Sequence, residues 1–258
     1  MPFCKIAGKK IHYSFVNQHL LNEKLTPIVF LHEGLGSIEQ WKDFPKKICS
    51  ILNLPGILYD RYGYGKSEGF SEPRTIEYLQ TEAEIFLPGI LAFLKIEKPV
   101  FLFGHSDGAS IALIYAGLFP TKVIAIVSEA AHVIIEDISR NGIKAAIYQF
   151  QNSNLKKILE KYHGNNSETM FYAWANTWIS KESKNWNICN FLEAIICPVL
   201  VIQGENDEYG SLRQIQLITK HCKANCSILQ IPECGHIPHF EKQEHIIEET
   251  NEFFKSFL

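Results

Sequence analysis

No stretch of this chain is long and apolar enough to suggest a membrane span. The longest run without a charged side chain, Gly108 to Thr121, falls short of the roughly 20 apolar residues a spanning helix needs, and it contains Gly117 and Pro120. The N-terminal segment from Met1 to Lys10 lacks both the apolar run and the small-residue cleavage pattern of a secretory signal, so the expectation is a cytoplasmic protein. Charge of one sign is not in excess either: 25 Lys+Arg against 28 Asp+Glu leave a net −3, which suggests no basic face for nucleic acid. Cysteine is sparse. Seven in 258 residues are too few for a disulfide scaffold, and the odd count leaves one unpaired, so free thiols are expected. Cys222, Cys226 and Cys234 lie close to His236 and His239, but the intervals fit no standard zinc pattern and no metal is expected. What is there, 46% hydrophobic and 21% charged residues, excludes a disordered, collagenous or coiled-coil chain.

Short apolar runs alternate with longer amphipathic ones, which predicts an α/β architecture: helices around a mostly parallel, eight-stranded sheet. The expected strands are Lys5–Ala7, Ile11–Phe15, Ile28–Leu31, Ile57–Tyr59, Val100–Phe103, Val123–Val127, Val199–Gln203 and Cys226–Gln230, the first two joined by a turn at Gly8-Lys9-Lys10. Apolar spacing of three or four predicts helices at Thr75–Leu94, Ala109–Leu118, Leu212–Lys220 and Glu241–Phe257. The alternation stops after Ser128 and resumes near Pro198. Three helical patterns fill the gap, at about Ile138–Gln149, Leu155–Tyr162 and Glu168–Ile179. The chain therefore divides into a core, 1–128 and 191–258, and a helical cap inserted at 129–190. Three of the four tryptophans, Trp174, Trp178 and Trp186, fall in the insertion, either to fill its small core or to line an apolar ligand pocket.

Gly104-His105-Ser106-Asp107-Gly108 sits between the apolar run Val100–Phe103 and a helix, which is a G-x-S-x-G pentapeptide in a strand-turn-helix setting. A serine held in so sharp a turn needs small neighbours, and Gly104 and Gly108 supply them. A serine hydroxyl is a poor nucleophile unless a base lies within hydrogen-bond reach and a third group orients that base. Asp207, just past the run Pro198–Ile202, fits the orienting acid, with Glu205 and Glu208 as rivals. His236, in the loop Pro232-Glu233-Cys234-Gly235-His236, fits the base, with His239 as its rival. The order Ser, Asp, His, each after the end of a strand, is the order this hydrolase architecture uses.

On these residues the chain resembles the α/β-hydrolase superfamily along essentially its whole length. Leu31-His32-Glu33-Gly34-Leu35-Gly36-Ser37 is similar to the family's His-Gly loop, Asp60-Arg61-Tyr62-Gly63-Tyr64-Gly65-Lys66-Ser67 to its D-x-x-G-x-G-x-S turn, and the insertion to its cap. The resemblance implies Ser106, Asp207 and His236 as a triad, the backbone amides of Gly34 and Asp107 as an oxyanion hole, and no metal or organic cofactor. It also argues against haloalkane dehalogenase and epoxide hydrolase chemistry, which need a carboxylate where Ser106 stands.

Glu33 occupies the place of the family's usual glycine, and a carboxylate aimed inward would oppose an oxyanion. The expectation is that Glu33 turns away and pairs with Arg61, against a solvated Glu33; a shifted loop would use the Glu33 or Leu35 amide instead. His105 and His32 are expected to be packed histidines, and His132 either faces the pocket or sits in a loop. The Asp107 carboxylate is expected to be structural at a helix N-terminus. The implied reaction is acyl transfer on a small to medium, largely apolar small-molecule substrate, a carboxylic ester first. Thioesterase, lactonase, amide or N-terminal proline cleavage, and C–C bond hydrolysis share the machinery, as would a slow-turnover ligand receptor.

Overall fold

The computed structural model describes residues 2–22 and 25–258. Eight strands form one sheet: β1 Phe3–Ile6, β2 Lys9–Val16, β3 Ile28–Leu31, β4 Gly56–Tyr59, β5 Val100–His105, β6 Val123–Glu129, β7 Val199–Gly204 and β8 Cys226–Ile231. Their order is β1-β2-β4-β3-β5-β6-β7-β8. β1, β2 and β4 pair antiparallel, and every later pairing is parallel. All eight expected strands are present. Strands β3, β4, β5 and β7 are buried throughout, the condition of parallel strands covered on both faces, which is why they read as continuous apolar runs.

One face is covered by the helices Phe44–Leu52 and Gln243–Lys255, which bury Phe44, Ile48, Ile246 and Phe254 against Phe30, Phe101 and Phe103. The sequence reading did not include Phe44–Leu52, although Phe44, Ile48 and Leu52 recur there at helical spacing. The other face carries Asp107–Leu118, buried almost along its whole length, and a helical stretch from Tyr78 to Phe93. That stretch was expected as one regular helix. It holds a π-helical turn at Glu82–Phe86, directly before Pro88, which has no N–H to return to the carbonyl four residues back. The C-terminal helix is likewise split, into Pro238–Glu241 and Gln243–Lys255, by the extended φ of −132° at Lys242.

Between β6 and β7 lie the helices Asp137–Asn152, Leu155–His163 and Ser167–Ile179. The first is opened by a capping box in which Glu136 and Ser139 satisfy each other's backbone N–H. Phe150 and Phe171 stack at 3.9 Å between ring centres, and Trp178 meets Trp186 edge-on at 4.8 Å. These helices are fastened to the sheet loops. His163 Nδ1 accepts from the Gly65 N–H at 2.9 Å while its Nε2 donates to the Leu35 carbonyl at 3.0 Å, and Glu136 accepts from Ser211 and Gln214. No helix among the described residues is long and apolar enough to cross a membrane.

Candidate active site

β5 ends in the G-x-S-x-G turn, and the backbone there is strained as the motif demands. Ser106 has φ 53° and ψ −116°, a region that residues with a Cβ seldom occupy. A Cβ at Gly104 would meet the carbonyl carbon of Gly108 at 2.5 Å, and one at Gly108 would collide with the Leu31 carbonyl of β3. The two glycines therefore let the turn close onto the neighbouring strand. The Ser106 N–H is tied to the Glu129 carbonyl at 2.8 Å, which pins the turn to β6.

The loops after β7 and β8 bring two side chains to this serine. Ser106 Oγ lies 2.9 Å from His236 Nε2, and His236 Nδ1 lies 2.8 Å from Asp207 Oδ1. Asp207 also accepts from the Tyr209 and Gly210 N–H groups at 2.8 and 3.1 Å. Burial would raise its pKa, but the charge and hydrogen bond of His236 outweigh burial and hold it at about 2. The carboxylate is thus ionised and directional, the state that fixes the Nδ1–H tautomer of His236 and leaves Nε2 free to accept the serine proton. Of the rivals, Glu205 is exposed, Glu208 lines the cavity without bonding His236, and His239 is committed elsewhere. His239 donates both its backbone N–H, at 2.7 Å, and its Nδ1–H, at 2.5 Å, to the buried carboxylate of Glu129.

Gly34 and Asp107 both line the cavity over the serine. The expected pairing of Glu33 with Arg61 is not what the loop does. The Glu33 carboxylate folds back over Gly36 and pairs with His105, Oε2 to Nδ1 at 3.6 Å, whereas Arg61 takes only the Glu33 backbone carbonyl at 2.7 Å. The reason is that Arg61 is already held by Asp107 Oδ2, at 3.3 Å from each of two guanidinium nitrogens. Tyr78 adds a 2.5 Å hydrogen bond to that same oxygen, so the Asp107 carboxylate is a fastening. Burial opposes charge on both members of the Glu33–His105 pair, yet their contact, with the nearby Glu129 acting on His105, prevails, taking Glu33 down to about 2 and His105 up to about 9. His105 Nε2 donates to the His236 carbonyl at 2.8 Å, so this imidazolium joins the Glu33 loop to the backbone of His236.

His32 is neutral: burial lowers its pKa to about 3, Nδ1–H donates to the Glu33 carbonyl and Nε2 accepts from the Arg61 N–H. His132 answers both expectations at once, lining the cavity while its Nε2 lies 3.2 Å from the Tyr209 carbonyl. The one group of donors among the described residues that could hold a metal ion is His105, Glu129 and His239, all buried. His105 Nε2, both Glu129 oxygens and His239 Nδ1 already serve the hydrogen bonds just described, while His105 Nδ1 has no hydrogen-bond partner.

Over the serine lies a cavity of about 250 Å³, walled on the sheet side by Gly34, Ser106 and His236 and on the insertion side by Ile143, Leu159, Trp174 and Trp178. The arrangement can hold a small, mostly apolar molecule with one end against the serine hydroxyl and the backbone of Gly34 and Asp107. Sequence reasoning did not find Glu129, Tyr78 or the ring of Tyr209, which lies 4.7 Å from that of His236. No motif marks them, because each acts through tertiary contacts with distant segments.

Comparison with known proteins agrees with this geometry. The family model described as alpha/beta hydrolase family matches residues 28–249. Serine hydrolase BPHL from Homo sapiens is 26% identical over 267 residues, covering 98% of this chain and 84% of its own. MGS-M2, an alpha/beta hydrolase enzyme from a Medee basin deep-sea metagenome library, superposes with a TM-score of 0.78 at 20% identity, covering 98% of this chain and 97% of its own. The enol-lactonase from Burkholderia xenovorans LB400 gives a TM-score of 0.76 at 15% identity, covering 98% and 100%.

Proposed function

Because the chain belongs to the alpha/beta hydrolase family, we propose that it is a serine hydrolase that cleaves a carboxylic ester, or a closely related acyl compound, through an acyl-enzyme on Ser106. The observation that carries the reading is the continuous hydrogen-bond line from Ser106 Oγ through His236 to the ionised Asp207, opening on a mainly apolar cavity. In this mechanism His236 Nε2 takes the hydroxyl proton as Ser106 Oγ attacks the carbonyl carbon. Asp207 balances the imidazolium that forms. The Gly34 and Asp107 amides receive the oxyanion, a role in which losing one donor typically costs about 2.7–4 kcal/mol of transition-state binding. Collapse of the tetrahedral intermediate expels the alcohol, which takes its proton from His236. Water activated by the same histidine then attacks the acyl-enzyme and releases the acid.

The cavity volume fits an acyl group of a few carbons, and its insertion side is mainly aliphatic and aromatic, while Glu33 and Glu208 are the carboxylate side chains at its rim beside Asp107. The similarity to a serine hydrolase over nearly the whole chain supports a serine nucleophile, and the likeness to an enol-lactonase supports the fold alone. The test is steady-state hydrolysis of p-nitrophenyl esters graded from acetate to decanoate, beside Ser106→Ala. Turnover that peaks at short to medium chains and vanishes in the variant is the expected result. A folded protein with no Ser106-dependent turnover on any ester overturns the ester reading.

A further inference from the structure

The insertion contributes two tryptophans to the cavity wall, and they differ in one respect. The Trp178 indole N–H is used, donating to Tyr78 Oη at 2.9 Å. The Trp174 N–H has no acceptor among the described residues, although the side chain is only 7% exposed and lines the cavity. Its position is fixed closely. A Cβ on Gly34 would collide with Trp174 Nε1 and lie 2.7 Å from its Cδ1, so the polar edge of the indole rests on the Cα of the residue whose amide receives the oxyanion in the proposed mechanism. The helix Ser167–Ile179 that carries it is braced through Arg140, which donates to the Ile179 carbonyl at 2.6 Å and to the Trp178 carbonyl at 3.1 Å. An indole N–H with no protein acceptor, on a nitrogen that keeps some exposure at the cavity, is free to meet an acceptor on a bound molecule.

We propose that Trp174 is a positioning residue whose indole N–H binds a second oxygen acceptor on the acyl group, on the carbon next to the scissile carbonyl. The inference rests on the acyl-transfer reading above and refines its substrate class. The Gly34 and Asp107 amides already supply two donors for the oxyanion. The indole nitrogen lies against the Gly34 Cα, beside the residue that supplies one of those donors. Preferred substrates are therefore 2-alkoxy, 2-hydroxy or 2-oxo acyl compounds over plain alkanoyl ones.

p-Nitrophenyl methoxyacetate and p-nitrophenyl butyrate have acyl groups of nearly the same length and differ by an ether oxygen at that carbon. Comparing each ester between the parent enzyme and Trp174→Phe cancels their unequal intrinsic reactivity, and phenylalanine keeps a ring over Gly34. The expected result is a loss in kcat/KM for the methoxyacetate about five- to tenfold larger than for the butyrate, the worth of one hydrogen bond, and carried mainly by KM. Equal losses on the two esters overturn the proposal and leave Trp174 as packing. If neither ester is turned over by the parent enzyme in a Ser106-dependent way, the acyl-transfer reading fails and takes this one with it. A second readout does not depend on the variant folding. In Ser106→Ala, the Trp174 indole N–H proton resonance should move downfield on adding the methoxyacetate and stay in place with the butyrate; the same response to both overturns the assignment.

Discussion

The two walls of the cavity are built on opposite principles. On the sheet side the carboxylates are multiply bonded, although His105 Nδ1, Arg61 Nε and Gln40 Oε1 lack hydrogen-bond partners: Asp207 accepts from His236, Tyr209 and Gly210, Glu129 accepts twice from His239, and Arg61 and Tyr78 converge on one oxygen of Asp107. On the insertion side the wall is aliphatic and aromatic, with the Trp174 N–H as an uncommitted donor. Such a network holds reacting groups to within tenths of an ångström and serves any acyl substrate alike. An apolar wall discriminates by volume and by the few polar groups it exposes. On the proposed function, the loops after β5, β7 and β8 set the chemistry, and the helices inserted between β6 and β7 set the selectivity. The contrast within the sheet side is as instructive. His236 and His239, three residues apart, each face a carboxylate, yet only His236 reaches the serine, while His239 is 2% exposed and packs at a tilt against Trp41, 4.8 Å between ring centres.

The largest expected effect is on the sheet side. Ser106→Ala should lower kcat by about 10⁴-fold or more, and Asp207→Asn by about 10³- to 10⁴-fold, as single-turnover kinetics would measure. The melting temperature of Ser106→Ala should stay level or rise slightly, since the strained turn loses only its hydroxyl. A large fall would make Ser106 a structural residue and dissolve the comparison. Next comes the second histidine pair. His239→Gln removes the Nδ1–H donor to the buried Glu129 carboxylate, and should cost about 1–3 kcal/mol in urea unfolding while kcat falls no more than a few-fold. The reverse pattern, stability kept and turnover lost, would make His239 part of the reaction.

The Glu33–His105 pair gives a smaller effect with a pH signature. His105 is raised from its ordinary 6.5 to about 9, so its contribution to stability is complete below pH 6.5 and disappears as pH rises through about 9. Glu33 is lowered from 4.5 to about 2, so its part is present above pH 4.5 and disappears as pH falls through about 2. Because the Glu33 side chain is 24% exposed, solvent screening reduces the pair's worth to about 1–2 kcal/mol. Glu33→Gln should therefore lose about that much near pH 6, and the gap to the parent should narrow toward pH 10. A constant gap across that range would mean that the glutamate packs rather than pairs.

Much of this was legible in the residues alone. The eight strands could be read because buried parallel strands are short apolar runs bounded by glycine and proline, and Ser106, Asp207 and His236 could be read because each follows such a run in a fixed order. The partner of Glu33 could not. Choosing between Arg61 and His105 depended on Asp107 and Tyr78 having already captured the guanidinium, a competition between segments far apart in the chain. The role of Trp174 was hidden for the same reason: three tryptophans in one insertion look alike until one indole finds Tyr78 and another rests on Gly34. The π turn at Glu82–Phe86 was equally out of reach, since the apolar spacing across it differs from a regular helix by a single residue.

The smallest expected effect tests the insertion side directly. Trp178→Phe removes the N–H that donates to Tyr78 Oη, yet Tyr78 keeps its own 2.5 Å hydrogen bond to Asp107 Oδ2. What is lost is one neutral donor to an oxygen that stays bonded through its proton, together with part of the edge-on contact with Trp186. That places the cost near the ordinary net worth of a hydrogen bond, about 1 kcal/mol, read as a shift in the urea midpoint at unchanged slope. Tyr78→Phe should cost more, because it strips a hydrogen bond from a buried carboxylate that is only 5% exposed. If the two variants cost the same, the Asp107 fastening does not depend on Tyr78, and the sheet side is less tightly saturated than its distances imply.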